Sequence, residues 1–519
     1  MAIGMRKLAL MLSSLILLHV LSNESIAQLN SKPYVENEIL LKINPRASKS
    51  RISQINENFR SELLESFSDL NWIRVKLPDG LSVEQAMREY KRFPEVEYAQ
   101  PNYYYHLQAT PNDPSFSSLW GLTKISAPAA WDLTTGNSNV VVAVIDTGIR
   151  YTHEDLAANM WRNTAEIPNN GIDDDGNGFV DDYYGYDFRY NDPDPMDENG
   201  HGTHVAGTIG AVGNNASGVV GVNWTVKLMA VKIYSAAAND TTSAMLINAY
   251  NYIRMMRNRG VNIRVTNNSY ADCPEACGYD QATKDALDAM GNAGVLNVFA
   301  AGNNGRDIDA IPIYPASYDS PHILVVASST SSDTRSSFSN YGVRSVDLAA
   351  PGSGILSTYY SSNSSYTSLS GTSMAAPHVT GAAALLAGYN PNLSVASLKA
   401  TLMNSVDVLS SWNGIVKSGG RLNVDRALRN QTVCDLALSA NVIDVPTKGG
   451  MFNVNISAPN NCDYETRSDS RWVSIVGGRV LSGSSTLTLR VSVNQTISRT
   501  ATITIGDKIL LLRQKRPAS

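Results

Sequence analysis

The chain has 519 residues, of which 43% are hydrophobic, and its formal net charge is −5. This length exceeds what one hydrophobic core usually supports, so about three or four structural units are expected. Acidic and basic residues are interspersed, and no broad basic face points to nucleic acid or to an anionic membrane surface as a partner.

The N-terminal segment has the pattern of a secretory signal peptide. Arg6 and Lys7 precede an apolar run over residues 8–21, and small residues at 25–27 offer a cleavage site. A membrane anchor is the alternative, but the run is shorter than the ~20 residues that a spanning helix needs. We therefore expect residues 1–27 to be removed and the protein to be secreted, outside the cell or at its surface, without a membrane anchor.

Four cysteines follow this segment, and export makes disulfides chemically possible. Four cysteines allow three pairings. Positions in the chain favour Cys273 with Cys277 and Cys434 with Cys462, because each pair lies within one predicted unit. Zinc ligation is the alternative, but the spacings contain no CxxC pair.

Residues 28–109 alternate short strands and helices, which is typical of a small α+β unit. The expected strands and helices cover residues 38–43, 50–59, 72–77, 82–92 and 96–98. The unit ends in Ala99-Gln100-Pro101-Asn102 and a mobile-looking tract, as a removable pro-segment would. A permanent small domain is the alternative.

Residues 110–430 change to near-continuous apolar strands separated by helices and glycine-rich turns. Strands buried on both faces, with helices between them, predict an α/β fold with a doubly wound, mostly parallel sheet. The expected strands are residues 140–145, 227–234, 263–267, 295–301 and 323–327, with helices over 243–257 and 281–292. Ligands of such sheets bind at the carboxyl ends of the strands.

Residues 431–519 show short stretches of alternating hydrophobicity, for example 451–456, 486–493 and 500–505. This pattern predicts an all-β module, a sandwich.

Three segments place chemically active side chains at the ends of predicted elements. Asp146 ends an apolar strand, where its carboxylate could orient an imidazole, although an Asp after a strand is more often a turn former. His201 opens HGTHVAG, whose small residues permit close helix packing. A metal site formed with His204 lacks the glutamate of an HExxH motif, so His204 is expected to be structural.

Ser373 lies in GTSMAAPH, ahead of a small apolar helix. A serine at a helix N-terminus feels a positive local field, and its hydroxyl becomes a nucleophile when a neighbouring imidazole takes the proton. An ordinary N-cap serine is the alternative for this motif alone. The three motifs taken together favour the catalytic interpretation, because Asp, His and Ser occur in the chain order found in subtilisin.

Together, VAVIDTG (142–148), HGTH (201–204) and GTSMAAP (371–377) resemble the three signature motifs of the subtilases, the subtilisin-like serine peptidases. The resemblance covers residues 110–430 and implies a secreted serine endopeptidase of the thermitase-like type, with Asp146, His201 and Ser373 as its triad. The preceding unit is similar to the family's inhibitory, ferredoxin-like pro-segments, which implies an autoprocessed zymogen cut between His106 and Asn112.

The resemblance also implies an oxyanion donor and a substrate cleft. Asn303, in AAGN, is expected to bind the oxyanion with the Ser373 backbone N–H. The expected cleft walls, where an extended peptide adds as a strand, are Ser269, Tyr270 and Ala271 on one side and Ala300, Ala301 and Gly302 on the other. Ala271 stands where the family commonly has glycine. With Ile313 near the pocket floor, we expect a preference for mid-sized apolar P1 residues.

An acidic insertion between Asp146 and His201 suggests structural calcium. Asp173, Asp175 and Asn177 alternate, and the Phe179 carbonyl can follow, as in the first half of an EF-hand loop. The bidentate glutamate is absent, and Asp182 is the candidate to replace it. A solvated acidic loop is the alternative.

A second calcium site is implied only by the resemblance to thermitase-like subtilases. Its ligands would be Asp113, Asp155, Asn215 and the carbonyls of Val212, Ser217 and Val219.

The C-terminal module is similar to BACON-type β-sandwiches, which leaves carbohydrate attachment and a plain spacer as equal alternatives. Expected partners are protein or peptide substrates and the chain's own propeptide, and nothing requires more than a monomer. The competing function is that of a non-catalytic extracellular binding protein on a subtilase scaffold.

Overall fold

The computed structural model describes residue 32 and residues 34–104, 109–270 and 279–516. These residues form two compact units, one on each side of residues 105–108. The predicted signal peptide, Ala271, Cys273 and Cys277 lie outside the described residues.

The first unit is a four-stranded antiparallel sheet with two helices, as the alternating pattern predicted. Its elements are β1 (Tyr34–Ile43), α1 (Lys49–Asn58), β2 (Glu62–Phe67), β3 (Trp72–Lys76), α2 (Val83–Tyr90) and β4 (Val96–Tyr103). The strand order β2-β3-β1-β4 is that of a ferredoxin-like sheet. Strand β2 was not predicted, because it is an edge strand with nearly all of its side chains exposed and thus lacks alternating hydrophobicity.

The second unit begins with an α/β domain built on a nine-stranded sheet. Its elements are α3 (Trp120–Lys124), α4 (Ala127–Trp131), β5 (Gly136–Asp146), β6 (Gly185–Asp187), α5 (His201–Gly210), β7 (Thr225–Lys232), α6 (Ser243–Asn258), β8 (Ile263–Asn268), α7 (Gln281–Asn292), β9 (Leu296–Ala300), β10 (Ile323–Ser329), β11 (Leu348–Pro351), β12 (Ile355–Tyr359), β13 (Ser365–Leu369), α8 (Thr372–Tyr389), α9 (Val395–Asn404), β14 (Asp407–Val408), β15 (Gly420–Arg421) and α10 (Val424–Arg429).

The sheet order is β14-β15-β11-β10-β9-β8-β5-β7-β6, and every neighbouring pair is parallel except β14 with β15. Strands β12 and β13 form a separate antiparallel hairpin.

Strand β5 shows why helices cover both faces of this sheet. Its side chains alternate, so that Val142 and Val144 join one hydrophobic core while Val141, Ala143 and Ile145 join another. Residues of α5 and α8 complete the first core, and residues of α6 and α7 complete the second. The doubly wound architecture expected from the strand pattern is therefore confirmed.

The C-terminal module is all-β, as expected. Its strands are β16 (Ala437–Leu438), β17 (Val442–Val445), β18 (Gly450–Ser457), β19 (Asp463–Ser468), β20 (Val473–Val476), β21 (Val480–Ser482), β22 (Ser485–Val491), β23 (Arg499–Ile505) and β24 (Lys508–Gln514). They form a four-stranded and a five-stranded sheet around one shared core. A disulfide joins Cys434 to Cys462, which confirms that predicted pairing.

Within the described part of the chain, none of the helices combines the length and the apolar character needed to cross a bilayer.

Candidate active site

A cavity of about 370 Å³ opens at the carboxyl ends of the central strands. Asp146, His201, Asn303 and Ser373 all line it, although up to 227 residues separate them in sequence, between Asp146 and Ser373. The parallel sheet explains the convergence, because the ends of neighbouring parallel strands meet at one edge.

Asp146 and His201 form a direct hydrogen bond in this cavity. Asp146 is the last residue of β5 and is buried, and His201 is the first residue of α5. The distance from His201 Nδ1 to Asp146 Oδ1 is 2.7 Å, and the same oxygen accepts the Thr147 N–H at 2.8 Å. The other ring nitrogen of His201, Nε2, takes no part in this contact.

The charge of Asp146 sets the protonation of His201. Burial alone would lower the pKa of the imidazole, but attraction to the Asp146 carboxylate, their hydrogen bond and the charge of Asp197 outweigh burial. The pKa of His201 therefore lies above its ordinary value. His204, by contrast, is fully buried, its Nε2 lies 2.9 Å from the Ile355 carbonyl, and burial lowers its pKa to about 4.

Two glycines allow this close approach. A methyl group at Gly202 would lie 2.1 Å from the Gly148 carbonyl oxygen. Gly148 itself has a φ of +105°, a region that disfavours side chains. The first turn of α5 can therefore pack directly on the turn that follows Asp146.

Asp197 fastens these two turns together and was missed by the sequence analysis. Its buried carboxylate accepts the Thr147 hydroxyl at 2.8 Å, the Gly200 N–H at 2.9 Å and the Thr203 N–H at 2.9 Å. It also accepts the Asn199 N–H at 2.9 Å. Its position four residues before His201 was the only signal in the sequence.

Ser373 lies in the first turn of α8 and exchanges hydrogen bonds with Ser269. Its hydroxyl donates to the Ser269 carbonyl at 3.1 Å, and the Ser269 hydroxyl donates to the Ser373 carbonyl at 3.0 Å. The second bond has a cause in the sequence: Pro377 has no N–H, so the carbonyl four residues earlier lacks its usual helical donor. Among the described residues, no hydrogen bond joins the Ser373 hydroxyl to His201.

The Asn303 side chain is held by its carbonyl end. Its Oδ1 accepts the Thr372 N–H at 2.9 Å and the Thr372 hydroxyl at 3.0 Å. The amide nitrogen of Asn303 and the backbone nitrogen of Ser373 both lie near Gly371, each 3.6 Å from a methyl group built there.

The predicted cleft walls fall into three groups. Ser269, Tyr270, Ala300 and Gly302 line the cavity. Ala301 does not belong with them, because it is fully buried in the second core and its carbonyl accepts the Asn340 amide at 2.8 Å. The buried Ile313 side chain is 3.7 Å from a methyl group built on Gly302, and Ala271 lies outside the described residues.

The acidic insertion brings three carboxylates together, but not the expected three. Glu166, Asp173 and Asp175 each offer an oxygen within 4.8 Å of the others. Glu166 precedes the loop, so the spacing within the loop gave no sign of it.

Asp182 does not take the glutamate's place in this cluster. It is fully buried, and its carboxylate accepts the Asn163 amide at 2.8 Å, the Asn177 amide at 3.0 Å and the Tyr252 hydroxyl at 2.7 Å. Burial raises the pKa of Asp182 to about 6. Phe179 packs its ring edge-on against Tyr252, with centroids 4.9 Å apart.

The side chains predicted for the second calcium site also converge. Asp155 Oδ1 accepts the Asn215 amide at 2.8 Å, and Asp155 Oδ2 accepts the Val219 N–H at 2.9 Å. Asp113 is buried, its Oδ2 accepts the Asn214 N–H at 2.8 Å, and its Oδ1 has no hydrogen-bond partner among the described residues. Burial and the nearby Asp155 charge raise the pKa of Asp113. A cation would satisfy both the charge and the unpaired oxygen.

Around this group, the Val212 N–H donates to the Asp155 carbonyl at 2.8 Å, and the Ser217 N–H donates to Asn215 Oδ1 at 2.8 Å. These bonds hold the loop that carries the predicted carbonyl ligands beside Asp155.

We expect the Asp197→Asn substitution to lower the pKa of His201, because it removes one of the two carboxylate charges that raise it. We also expect a loss of about 1–3 kcal/mol in unfolding free energy, because the amide NH2 group of Asn cannot accept the hydrogen bonds that one carboxylate oxygen of Asp197 now accepts from buried donors. NMR titration of the imidazole and denaturant unfolding measure the two effects.

Asp309→Asn is the matched control, since Asp309 accepts the Ser345 N–H at 2.8 Å and does not contribute to the His201 shift. An unchanged His201 pKa in Asp197→Asn would contradict the electrostatic part of this explanation.

Comparisons with known proteins show the family to which this chain belongs. Residues 137–431 match the subtilase family, and residues 21–102 match the fervidolysin N-terminal prodomain. Thermitase of Thermoactinomyces vulgaris is 38% identical over 62% of this chain and 99% of the relative. A thermophilic serine proteinase of Bacillus sp. (strain AK1) is 36% identical over 60% of this chain and 68% of the relative.

A solved structure described as a cold adapted subtilisin-like serine proteinase is 32% identical and covers 56% of this chain and 90% of its own, with a TM-score of 0.42. The family match spans more than half of the chain, and nearly the full length of thermitase is covered. The chain therefore belongs to the subtilase family and is a serine endopeptidase with an N-terminal prodomain.

Proposed function

We propose that Asp146, His201 and Ser373 form the triad with which this peptidase cleaves protein or peptide substrates through an acyl-enzyme. The observation that carries the proposal is the 2.7 Å hydrogen bond between Asp146 and His201 in a cavity that Ser373 also lines. A carboxylate bound to Nδ1 fixes the tautomer in which Nε2 accepts a proton.

In the proposed reaction, substrate binding turns the Ser373 hydroxyl from the Ser269 carbonyl toward His201 Nε2. His201 takes the hydroxyl proton as the oxygen attacks the scissile carbonyl, and Asp146 stabilises the imidazolium. His201 then gives the proton to the leaving amine. Water, activated by the same imidazole, hydrolyses the acyl-enzyme and restores Ser373.

Asn303 and the Ser373 N–H are proposed to bind the oxyanion. Thr372 holds the Asn303 carbonyl end, so the amide end is fixed before the substrate arrives. A fixed donor costs no reorganisation in the transition state, and in subtilisin itself the loss of the corresponding donor lowers turnover by about 10²–10³-fold.

The substrate is proposed to bind as an extended strand between Ser269 and Tyr270 on one side and Ala300 and Gly302 on the other. The Ile313 side chain is buried and is not among the residues that line the cavity, and Ala271 lies outside the described residues, so the P1 preference for mid-sized apolar residues stays a prediction.

Structural calcium is proposed at two sites. Asp113, Asp155 and Asn215 would hold one ion, with the carbonyls of Val212, Ser217 and Val219. Glu166, Asp173 and Asp175 would hold another, with Asn177 and the Phe179 carbonyl. Calcium there would neutralise clustered carboxylates and fix the loops that carry them.

The N-terminal unit is proposed to act as an intramolecular inhibitor of a secreted zymogen. The match of residues 21–102 to a subtilase prodomain supports this role.

Labelling with a serine-directed fluorophosphonate tests the triad. We expect the active protein to be labelled and the Ser373→Ala variant to lose all labelling, because Ser373 carries the proposed nucleophile. Two other hydroxyls of the cavity, those of Thr147 and Ser269, donate to the Asp197 carboxylate and to the Ser373 carbonyl instead. Ser370→Ala, three residues earlier and exposed, is the control and should label as the parent does. Labelling that persists in Ser373→Ala would end the assignment.

Chelation tests the calcium proposal. If calcium is present at about 100 times its dissociation constant, binding stabilises the fold by about 2.7 kcal/mol per site, so a chelator should lower Tm by several degrees. Glu166→Gln should reduce this calcium-dependent shift. Asp174→Asn should not, because Asp174 lies in the same loop but bonds to the Asn170 amide instead. Equal shifts in the two variants would contradict the Glu166 site.

N-terminal sequencing of the active protein tests the zymogen. We expect a mature start between His106 and Asn112, and Ser373→Ala should stay at precursor size because the cut is made by the enzyme itself. A mature start upstream of Tyr98 would show that the prodomain is not removed as a unit.

A further inference from the structure

Helix α9 is buried over most of its circumference, including its polar side chains. Ser397, Lys399 and Thr401 are each at most 4% exposed. Buried polar groups cost free energy unless they find partners, so the partners show what covers the helix.

The covering segment is the chain that leads into the C-terminal module. The Thr401 hydroxyl accepts the Thr432 N–H at 2.9 Å, and the Ser397 hydroxyl accepts the Cys434 N–H at 3.0 Å. Because residues four apart lie on one helix face, the linker runs along α9 instead of leaving it.

The module itself continues these contacts one turn later. The Asn404 amide donates to the Asn460 carbonyl at 2.9 Å, and Asn404 Oδ1 accepts the Asn461 amide at 2.7 Å. The Asn404 side chain thus uses both its donor and its acceptor on the module.

A buried ion pair is the strongest of these contacts. Lys399 Nζ lies 2.8 Å from Asp463 Oδ2 of the module and 3.7 Å from Asp347 Oδ1 of the peptidase domain, and Lys417 Nζ lies 3.5 Å from Asp463 Oδ1. The Lys399 and Asp463 side chains are each only 5% exposed. An exposed pair contributes little, whereas breaking a buried pair leaves a charge without compensation.

Both members of the pair stay charged. Burial opposes the charge on each, but the carboxylates of Asp347 and Asp463 hold the pKa of Lys399 above its ordinary value. The attraction of Lys399 and then of Lys417 outweighs burial and lowers the pKa of Asp463 to about 2.

The disulfide connects the two ends of this contact region. Cys434 donates its N–H to Ser397, and Cys462 immediately precedes Asp463. The bond between them holds their Cα atoms 5.6 Å apart, so it fixes the linker beside the start of β19, where Asp463 lies.

We propose that α9 is a docking face for the chain's own C-terminal module, which stays attached to the peptidase domain in the mature enzyme as one rigid body. The module is neither a tethered spacer nor a segment lost during maturation, because either would uncover this face of the peptidase domain and take from Lys399 its closest carboxylate, Asp463.

Hydrogen exchange on the full chain carrying Ser373→Ala, which prevents self-digestion, tests the docking. Adding Asp463→Asn should speed amide exchange in residues 395–404 and 432–434 by at least about tenfold, since the buried lysine loses its closest carboxylate. Asp435→Asn is the matched control: Asp435 pairs with Lys508 at 3.0 Å but its side chain is 80% exposed, so exchange should not change.

Strands β23 and β24 report on folding of the module itself and should keep their protection in Asp463→Asn. Faster exchange there as well as in α9 would show that the variant unfolds the module, and the weaker change Lys417→Met, which keeps the Lys399 pair, should then loosen only the contact region. Equal exchange in Asp463→Asn and Asp435→Asn would overturn the proposal.

The intact mass of the mature, active enzyme is a second measurement. We expect it to include the residues after Cys462. An active enzyme that ends before Cys434 would also overturn the proposal, whatever the result for the triad.

Discussion

The hydrogen bond between Asp146 and His201 is the constraint on which the rest of the site depends. A 2.7 Å contact between the end of β5 and the start of α5 requires the backbones around both residues to touch. Gly202 makes that possible, since a methyl group there would lie 2.1 Å from a carbonyl oxygen. Asp197 then ties the two turns together from the far side. The small residues and the buried acid near the histidine are therefore consequences of bringing one carboxylate to one imidazole.

Much of the fold could be predicted from the sequence because its signals are local. The apolar run that ends at Asp146 is buried on both faces in a parallel sheet, and such a run needs no knowledge of its neighbours to be recognised. The order of Asp146, His201 and Ser373 in the chain could likewise be recognised without knowledge of the fold. The C-terminal strands alternate because only one face of each is buried, and the separation of Cys434 from Cys462 suited one module.

The sequence did not predict contacts between residues that are distant in the chain and meet only after folding. Glu166 joins Asp173 and Asp175 from outside their loop, and no spacing rule reaches it. Asp182 fitted the spacing but is satisfied by a buried tyrosine that comes 70 residues later. Ala301 had the right neighbours in the chain, yet directly after the end of β9 its side chain packs into the second core, while Ala300 and Gly302 line the cavity.

The same electrostatic rule governs both the active site and the docking face. A charge held away from water persists only beside its opposite, which is why His201 has a raised pKa beside Asp146 and Lys399 stays charged beside Asp463. The Asp146–His201 pair and the Lys399–Asp463 pair differ in the groups that remain available for a reaction. Nδ1 of His201 is bound, and in the proposed mechanism Nε2 exchanges the proton, whereas the Lys399 ammonium has carboxylates from both domains around it. An imidazole held at one nitrogen can exchange a proton at the other, but a lysine enclosed by two acids can only hold its partners in place.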